Sequence, residues 1–250
     1  MRTILFICIF LNLSLSGHAQ SSKDQALAFF VKGNHAYKEG NYENAVTNYA
    51  QAVQTDWVSG PVYFNLGNSY IKFGKTGKAL LSYERARQLI PRDSDLMANI
   101  AYAQSLVKNP VNAPINSFLG TILEGFINFY TLDEMALVFL VLIVLGAIIH
   151  LAILFGREAK KLKMNLMIVC LCLAMIYLLG LIAKIQAQSN LAIIVSSTEA
   201  KFEPRQEGTT HFQAPEGLKV RVIEEEADWA KIKRLDEIIG WVKKESLERI

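Results

Sequence analysis

The sequence is poor in cysteine, and the cysteines it has lie within apolar runs: Cys8 near the amino terminus, then Cys170 and Cys172. Segments 20–134 and 184–250 contain no cysteine at all. A fold held together by disulfides is therefore excluded for both segments. Each of them must fold around a hydrophobic core instead.

The sequence also lacks a strong charge of either sign, since its formal net charge is +3 over 250 residues. It has no basic patch with interleaved aromatic residues, so we expect no nucleic-acid partner. A glycine-rich phosphate loop, a nucleophile elbow and paired metal-ligand motifs are absent from the sequence as well. We therefore expect no catalytic activity, no cofactor and no metal site.

One histidine and one cysteine in the apolar runs have side chains of metal-binding types. His150 and Cys170 lie at similar depths in two long apolar runs, and histidine with cysteine is a recognised pair of zinc or copper ligands. Cys172 would point to nearly the opposite helix face from Cys170, so only one cysteine could join His150. Because two protein ligands are too few, packing within a helical bundle is the favoured interpretation.

Charge is absent from two long apolar runs, Met135–Gly156 and Met164–Ala183. At about 1.5 Å per helical residue, each run gives roughly 30 Å of helix, the thickness of the hydrocarbon core of a bilayer. Two such runs in succession are not expected in a soluble core, so they predict a two-helix transmembrane hairpin. The capping-box spacing of Thr131–Glu134 predicts that the first helix begins there.

Two independent signals predict the orientation of this hairpin. The loop 157–163 carries four basic residues against one acid, and short basic loops stay in the cytoplasm. Residues 1–19 combine a basic start, a short apolar core and small residues before Gln20. This pattern is typical of a cleaved signal peptide, with an uncleaved anchor as the alternative. Both signals place residues 20–134 and 184–250 outside the cytoplasm.

Residues 26–107 contain an internal repeat. Small and aromatic residues recur 34 positions further along, the period of helix–turn–helix units whose small residues let two helices cross closely. The pairs are Gly33 and Gly67, Gly40 and Gly74, Ala45 and Ala79, Tyr49 and Tyr83, and Ala52 and Ala86. The two units, about 26–59 and 60–93, resemble tetratricopeptide repeats. We expect the helical stretch Ser94–Val107 to cap the open flank of this all-α solenoid.

The resemblance to tetratricopeptide repeats implies a concave groove, lined mainly by the first helix of each repeat, in which a peptide or protein binds. The candidate groove residues are Phe30, Asn34, Tyr37, Lys38, Phe64, Asn65, Asn68, Ile71 and Lys72. Asn34 and Asn65 also match two positions of the carboxylate-clamp class, which grips C-terminal peptides. The clamp's lysine position is Phe30 here, and its third-repeat basic positions are Ala98 and Tyr102. A complete clamp is therefore not expected.

Residues 115–130 predict a strongly amphipathic helix immediately before the first span. We expect this helix to lie flat on the outer leaflet of the membrane. Its polar face lacks the usual lysine and arginine residues, so packing against the hairpin or a partner span is an alternative. A further alternative is that this helix buries the aromatic residues of the groove.

Beyond Lys184 the hydrophobic pattern changes from helical to alternating, and turn residues separate short β-type runs. These runs are Leu191–Val195, Lys219–Ile223, Trp229–Ile232 and Ile238–Val242. About five such strands predict a small all-β barrel over residues 190–250. The segment resembles the bacterial SH3-like domain at Gly217, Val220, Val222, Asp228, Trp229, Ile232, Gly240, Trp241, Val242 and Leu247.

Taken in this order, a signal peptide, two tetratricopeptide repeats, a membrane hairpin and an SH3-like domain resemble the BatE proteins of bacterial aerotolerance operons. The resemblance implies a two-pass protein of the bacterial inner membrane with both terminal domains in the periplasm. It also implies a link to oxidative-stress tolerance. The implied partners are the lipid bilayer and membrane proteins of the same operon that carry von Willebrand-type domains.

The sequence therefore predicts a multidomain membrane protein that acts as a non-catalytic scaffold and presents interaction modules to the periplasm. The alternative function is envelope sensing or peptidoglycan binding through the SH3-like domain.

Overall fold

The computed structural model describes most of the chain after the predicted signal peptide, namely residues 22–55, 57, 59–109, 118–156 and 159–250. The signal-peptide prediction for residues 1–19 lies outside the described residues, as does the start of the predicted loop 157–163. The chain divides into two compact units. One unit combines the segment before residue 114 with Asn190–Ile250, and the other is Pro114–Ser189.

From residue 22 onward, the described part of the first unit starts with five consecutive helices. They are α1 (residues 22–38), α2 (Tyr42–Val53), α3 (Gly60–Lys72), α4 (Thr76–Leu89) and α5 (Ser94–Ser105). Gly40 and Gly74 follow α1 and α3 with φ values of +75°, a left-handed conformation that glycine adopts without steric cost. The predicted helix–turn–helix units are thus present, and α5 follows them where the capping helix is predicted.

Two glycines let the helices of each pair cross closely. A Cβ atom on Gly33 would lie 2.6 Å from the ring of Tyr49, and one on Gly67 would lie 2.4 Å from the ring of Tyr83. Both tyrosine rings are buried, with 1% and 2% of their surface exposed. Each ring therefore packs directly on a stretch of helix backbone that has no side chain.

The C-terminal part of the first unit is a seven-stranded sheet in which every pairing is antiparallel. The strand order is β3-β2-β6-β5-β4-β1-β7, and a short 3₁₀ helix, Lys244–Ser246, precedes β7. The strands are β1 (Leu191–Ile194), β2 (Thr198–Lys201), β3 (Thr210–Ala214), β4 (Lys219–Glu226), β5 (Trp229–Lys233), β6 (Ile239–Lys243) and β7 (Leu247–Arg249).

The four runs with β-type alternation appear as β1, β4, β5 and β6, whereas β2, β3 and β7 were not predicted. One apolar cluster joins residues from six of the strands. Its buried members are Ala192, Ile194, Ala200, Ala214, Leu218, Val220, Val222, Ala230, Ile232 and Val242. Residues of widely separated strands therefore share a single core, on one face of a continuous sheet.

Where the structure describes the second unit, it contains α6 (Phe118–Phe129), α7 (Leu132–Phe155) and α8 (Lys160–Gln188). Both α7 and α8 are long and apolar enough to cross a membrane, with mean hydropathies of 3.1 and 2.8 over their most apolar 18 residues. The predicted capping box is present: the Thr131 hydroxyl accepts from the Glu134 backbone, and the Glu134 carboxylate accepts from the Thr131 backbone. Because α8 extends to Gln188, it is longer than the predicted span 164–183.

Contacts at both ends show that α7 and α8 run antiparallel. Lys163 Nζ donates to the backbone oxygen of Ala152 over 3.1 Å, near the end of α7 and the start of α8. At the other end, a Cβ atom on Gly180 would lie 3.0 Å from Met135 Cε.

The helix α6 packs against α8 within this unit. The Phe126 ring lies 5.8 Å from the Tyr177 ring, and Lys184 Nζ donates to the backbone oxygens of Ile127 and Tyr130. Only 2% of Lys184 is exposed, so these carbonyl groups supply the partners that a buried ammonium group requires. The contact matches the alternative in which the amphipathic helix packs on the hairpin; its place relative to a membrane stays a prediction.

Candidate peptide-binding groove

Four asparagines on α1, α3 and α5 form a hydrogen-bonded ladder that repeats with the period of the sequence. Asn34 Oδ1 accepts from the Tyr49 hydroxyl over 2.6 Å and from Asn65 Nδ2 over 3.2 Å. One repeat later, Asn68 Oδ1 accepts from the Tyr83 hydroxyl and from Asn99 Nδ2, each over 2.8 Å. The same two bonds are therefore made twice, 34 positions apart.

Burial keeps the two tyrosines of the ladder protonated. It raises the pKa of Tyr49 to about 12 and also raises the pKa of Tyr83. A protonated phenol in such a site donates its hydrogen bond, so each tyrosine requires the oxygen of its asparagine as acceptor. The amide nitrogens of Asn34 and Asn68 then point away from the tyrosines and, among the described residues, donate to no group.

The ladder lies between two adjoining cavities. The first has a volume of about 300 Å³ and is lined by Asn34, Tyr37, Lys38, Tyr49, Asn65 and Asn68. The second has a volume of about 320 Å³ and is lined by Tyr37, Asn68, Ile71, Lys72, Tyr83, Asn99 and Tyr102. Since Tyr37 and Asn68 line both cavities, the two adjoin along α1, α3 and α5, and together they are called the groove.

Two lysines add positive charge to this groove. Lys38 and Lys72 are exposed and occupy equivalent positions of the two repeats, one in each cavity. Neither of them forms an ion pair with a described residue. The groove therefore presents hydrogen-bond donors and cations at matching positions of successive repeats.

The structure divides the candidate groove residues into two groups. All except Phe30 and Phe64 line at least one of the two cavities. Those two side chains are half-buried, with their rings 5.9 Å from Tyr49 and 6.1 Å from Tyr83. They pack at the helix crossings, which gives them a role in the repeat cores.

Sequence reasoning did not identify Asn99, Tyr49 or Tyr83 as groove residues, and it treated Tyr102 only as a missing clamp residue. The period itself carried the signal for Asn99, because this residue lies one repeat beyond Asn65. The two tyrosines were recognised only as repeat positions.

The C-terminal sheet carries a third cavity, of a different character. Its volume is about 290 Å³, and it is lined by Gln206, Asp228, Trp229, Lys243, Lys244 and Glu245. An indole ring next to acidic and basic groups can bind a polar ligand that also has an apolar face. Within the described ranges, no three histidine, cysteine, aspartate or glutamate residues lie close enough together to hold a metal ion.

The matches to known proteins lie in the repeats. The family model described as "Tetratricopeptide repeat" matches residues 60–93, which is the second predicted unit. The chain therefore contains a repeat of a type that serves in protein-interaction scaffolds and is typically non-catalytic. No curated protein matches the chain.

Solved structures that are similar to part of the chain include two TPR domains. The Arabidopsis OM64 TPR domain is 18% identical, and the match covers 34% of this chain and 69% of that domain, with a TM-score of 0.33. The second TPR of Spaghetti (RPAP3), bound to an HSP90 peptide, is 27% identical. That match covers 44% of this chain and 92% of the other, again with a TM-score of 0.33. Likenesses this low carry no functional inference.

Proposed function

We propose that this protein is a membrane-anchored, non-catalytic scaffold whose groove on α1, α3 and α5 binds a segment of a protein partner. The asparagine ladder is the observation that carries this proposal. In the ladder, the side-chain oxygens of Asn34 and Asn68 accept hydrogen bonds from within the protein. Their amide nitrogens are left as donors for a ligand in the groove. A concave site that offers unused hydrogen-bond donors is suited to binding rather than to chemistry.

The chemistry of the groove favours a ligand rich in hydrogen-bond acceptors. Two amide nitrogens and the ammonium groups of Lys38 and Lys72 face such a ligand, and carbonyl or carboxylate oxygens are their natural partners. Neighbouring helices pack about 10 Å apart. That spacing corresponds to about three residues of an extended peptide. We therefore propose an extended, acidic segment as the ligand, with Tyr37 and Ile71 supplying apolar contact.

The exposed surface of α7 and α8 supports membrane anchoring. Only 6% and 11% of their most apolar stretches are buried within the protein, whereas the core helix of a soluble protein is mostly buried. Apolar surface of this extent is costly in water and is stable in lipid. The segments on either side of the hairpin also pack into one unit. Both must then lie on the same side of a membrane, which requires an even number of crossings.

The kind of membrane, the orientation of the hairpin and the biological role are inferred from the sequence. The basic loop and the predicted signal peptide support a place in the bacterial inner membrane, with residues 22–109 and 190–250 in the periplasm. The domain order supports a BatE-type role in oxidative-stress tolerance, beside membrane proteins with von Willebrand-type domains. The apolar cluster shared by six strands supports an SH3-like barrel for residues 190–250.

Replacing both groove lysines with glutamate, Lys38→Glu with Lys72→Glu, tests the groove. The change places two negative charges where the proposal needs two positive ones, so an acidic segment is repelled. We expect affinity for the native partner, captured by cross-linking in intact membranes, to fall at least about tenfold, or 1.4 kcal/mol. Both side chains are exposed, so the melting temperature should stay within about 4 °C of wild type.

The matched control is the double variant Lys32→Glu with Lys75→Glu. These lysines are also exposed, and the variant has the same net charge, but neither residue lines the groove. If the groove variant keeps every partner, or if both variants lose the partner equally, the groove is not the binding site.

The cavity beside Trp229 favours the alternative function, peptidoglycan binding by the C-terminal sheet. Under this alternative, the full-length protein in detergent co-sediments with purified peptidoglycan, and Trp229→Ala reduces the bound fraction severalfold. Co-sedimentation that does not respond to Trp229→Ala would count against this cavity as the binding site. The groove variant should leave co-sedimentation unchanged in either case.

A further inference from the structure

We infer that the outer surface of α4 and α5 is a docking surface whose partner is the chain's own C-terminal sheet. In this arrangement residues 190–250 close the repeat solenoid in the place where a further repeat would stack. The inference deepens the proposed function. It rests on that function in one respect: α5 forms one side of the proposed groove, and this side then depends on residues 190–250.

An apolar core is shared between the two segments. Ile193 of β1 is 1% exposed and belongs to the same buried cluster as Leu80 of α4 and Leu96 of α5. Val195 and Ile250, which also belong to the C-terminal segment, pack against this cluster. The end of a solenoid exposes an apolar flank that must be covered. Here the sheet covers it, so no third helical pair is needed.

The backbones approach closely at the start of α4. The Gly77 N–H donates to Glu216 Oε1 over 2.8 Å. A Cβ atom on Gly77 would lie 2.6 Å from the backbone oxygen of Ile194 and 3.0 Å from Val195 Cα. Both of these neighbours are backbone atoms, which cannot rotate away. Glycine is therefore required at position 77 by the docked sheet and not by the helix itself.

A buried ion pair joins the same two surfaces. Glu84 of α4 is 4% exposed, and its carboxylate accepts from Lys219 of β4 over 3.0 Å and pairs with Arg87 over 2.6 Å. Burial alone would raise the pKa of Glu84, but the two cations outweigh it and hold that pKa below its usual value. Arg85 adds a further bond, from its guanidinium to the backbone oxygen of Arg249 over 2.7 Å. Without the sheet, Lys219 would be missing from this cluster.

The docked sheet supports one side of the groove. Helix α5 contributes to both the shared core and the groove: Leu96 belongs to the cluster that includes Ile193, whereas Asn99 and Tyr102 line the second cavity. If α5 loses its support, the bond from Asn99 to Asn68 is lost as well. Residues 190–250 are thus part of the body that forms the binding groove, in addition to any ligand site of their own.

The substitution Gly77→Ala tests docking by the sign of its effect. In an undocked helix, alanine is the better helix former by about 1 kcal/mol, so protection of α4 against hydrogen exchange should rise about fivefold. In the docked protein the methyl group meets the Ile194 backbone. We therefore expect exchange in α4, α5 and β1 to become at least about tenfold faster in the full-length protein in detergent. Slower or unchanged exchange would overturn the inference.

A second pair of variants tests the ion pair in the same assay. Lys219→Ala leaves Glu84 buried without its partner, and we expect exchange in both α4 and β4 to become about a hundredfold faster. The matched control is Lys231→Ala, which removes an exposed pair with Glu224 and should change little. The charge exchange Glu84→Lys with Lys219→Glu keeps one acid beside two bases and should restore most of the protection.

Independent modules would give a different result. Lys219→Ala would then affect the sheet alone or nothing at all, and the charge exchange would rescue nothing. Because hydrogen exchange needs no ligand, this outcome is separate from the test of the groove lysines. If the groove variant still binds its partner, the inference about docking is unaffected. If hydrogen exchange contradicts docking, the ligand of the groove can still be measured with the groove variant.

Discussion

Gly67→Val is expected to unfold the repeats. A Cβ atom at this position would lie 2.4 Å from two ring carbons of Tyr83, and valine adds two further methyl groups. The helices α3 and α4 must then separate, which exposes the Tyr83 ring and breaks its bond to Asn68. Losing the burial of an aromatic side chain costs about 3–5 kcal/mol. That loss approaches the whole stability of a small domain, about 5–15 kcal/mol.

Thermal melting followed by helical circular dichroism measures this effect in the full-length protein. The matched control is Gln51→Val, at an exposed position of α2, where valine costs only its helix propensity of a few tenths of a kcal/mol. Gly33→Val should behave like Gly67→Val, because Gly33 faces Tyr49 in the same way. If Gly67→Val melts at the wild-type temperature, the helix crossing described here is wrong.

The repeats could be read from the sequence because their determinants are local and periodic. Gly33 and Tyr49 recur as Gly67 and Tyr83, and each pair meets within one helical hairpin. The same period places Asn34 and Asn68 at equivalent positions of the groove. The hydrogen-bond direction of these amides could not be predicted, because it depends on which atom faces a tyrosine in the folded protein.

Three strands of the sheet left no recognisable pattern. In β2 and β3 the buried residues are Ala200 and Ala214, and alanine has low strand propensity. The last strand, Leu247–Arg249, is too short to alternate visibly. These strands form through pairing with their neighbours, and that information is spread over distant parts of the chain.

Docking of the sheet on the repeats was beyond sequence reasoning for a similar reason. Glu84 and Lys219 are ordinary charged residues in their own segments, and nothing nearby in the sequence marks either as buried. They become a pair only after two elements 135 residues apart have folded and met. Gly77 carried a weak signal, since a glycine in the first turn of a helix has no local advantage there over alanine.

Labelling with a membrane-impermeant thiol reagent should give an all-or-none result on the two sides of the hairpin. The background variant replaces Cys8, Cys170 and Cys172 with serine. Single cysteines are then introduced at Glu207, exposed between β2 and β3, and at Lys161, exposed at the start of α8. With residues 190–250 in the periplasm, Glu207→Cys should be labelled in spheroplasts, whereas Lys161→Cys should not.

Permeabilised cells supply the control, because both cysteines should be labelled once the reagent reaches both sides.

Docking adds a constraint that the charge pattern alone does not give. Residues 22–109 and 190–250 belong to one compact unit, so a third cysteine at Lys32 of α1 must label like the one at Glu207. Labelling at Lys161 alone would reverse the orientation and keep the hairpin. Opposite results at Lys32 and Glu207 would contradict the hairpin and the docked sheet together, since segments on opposite sides of a membrane cannot share a core.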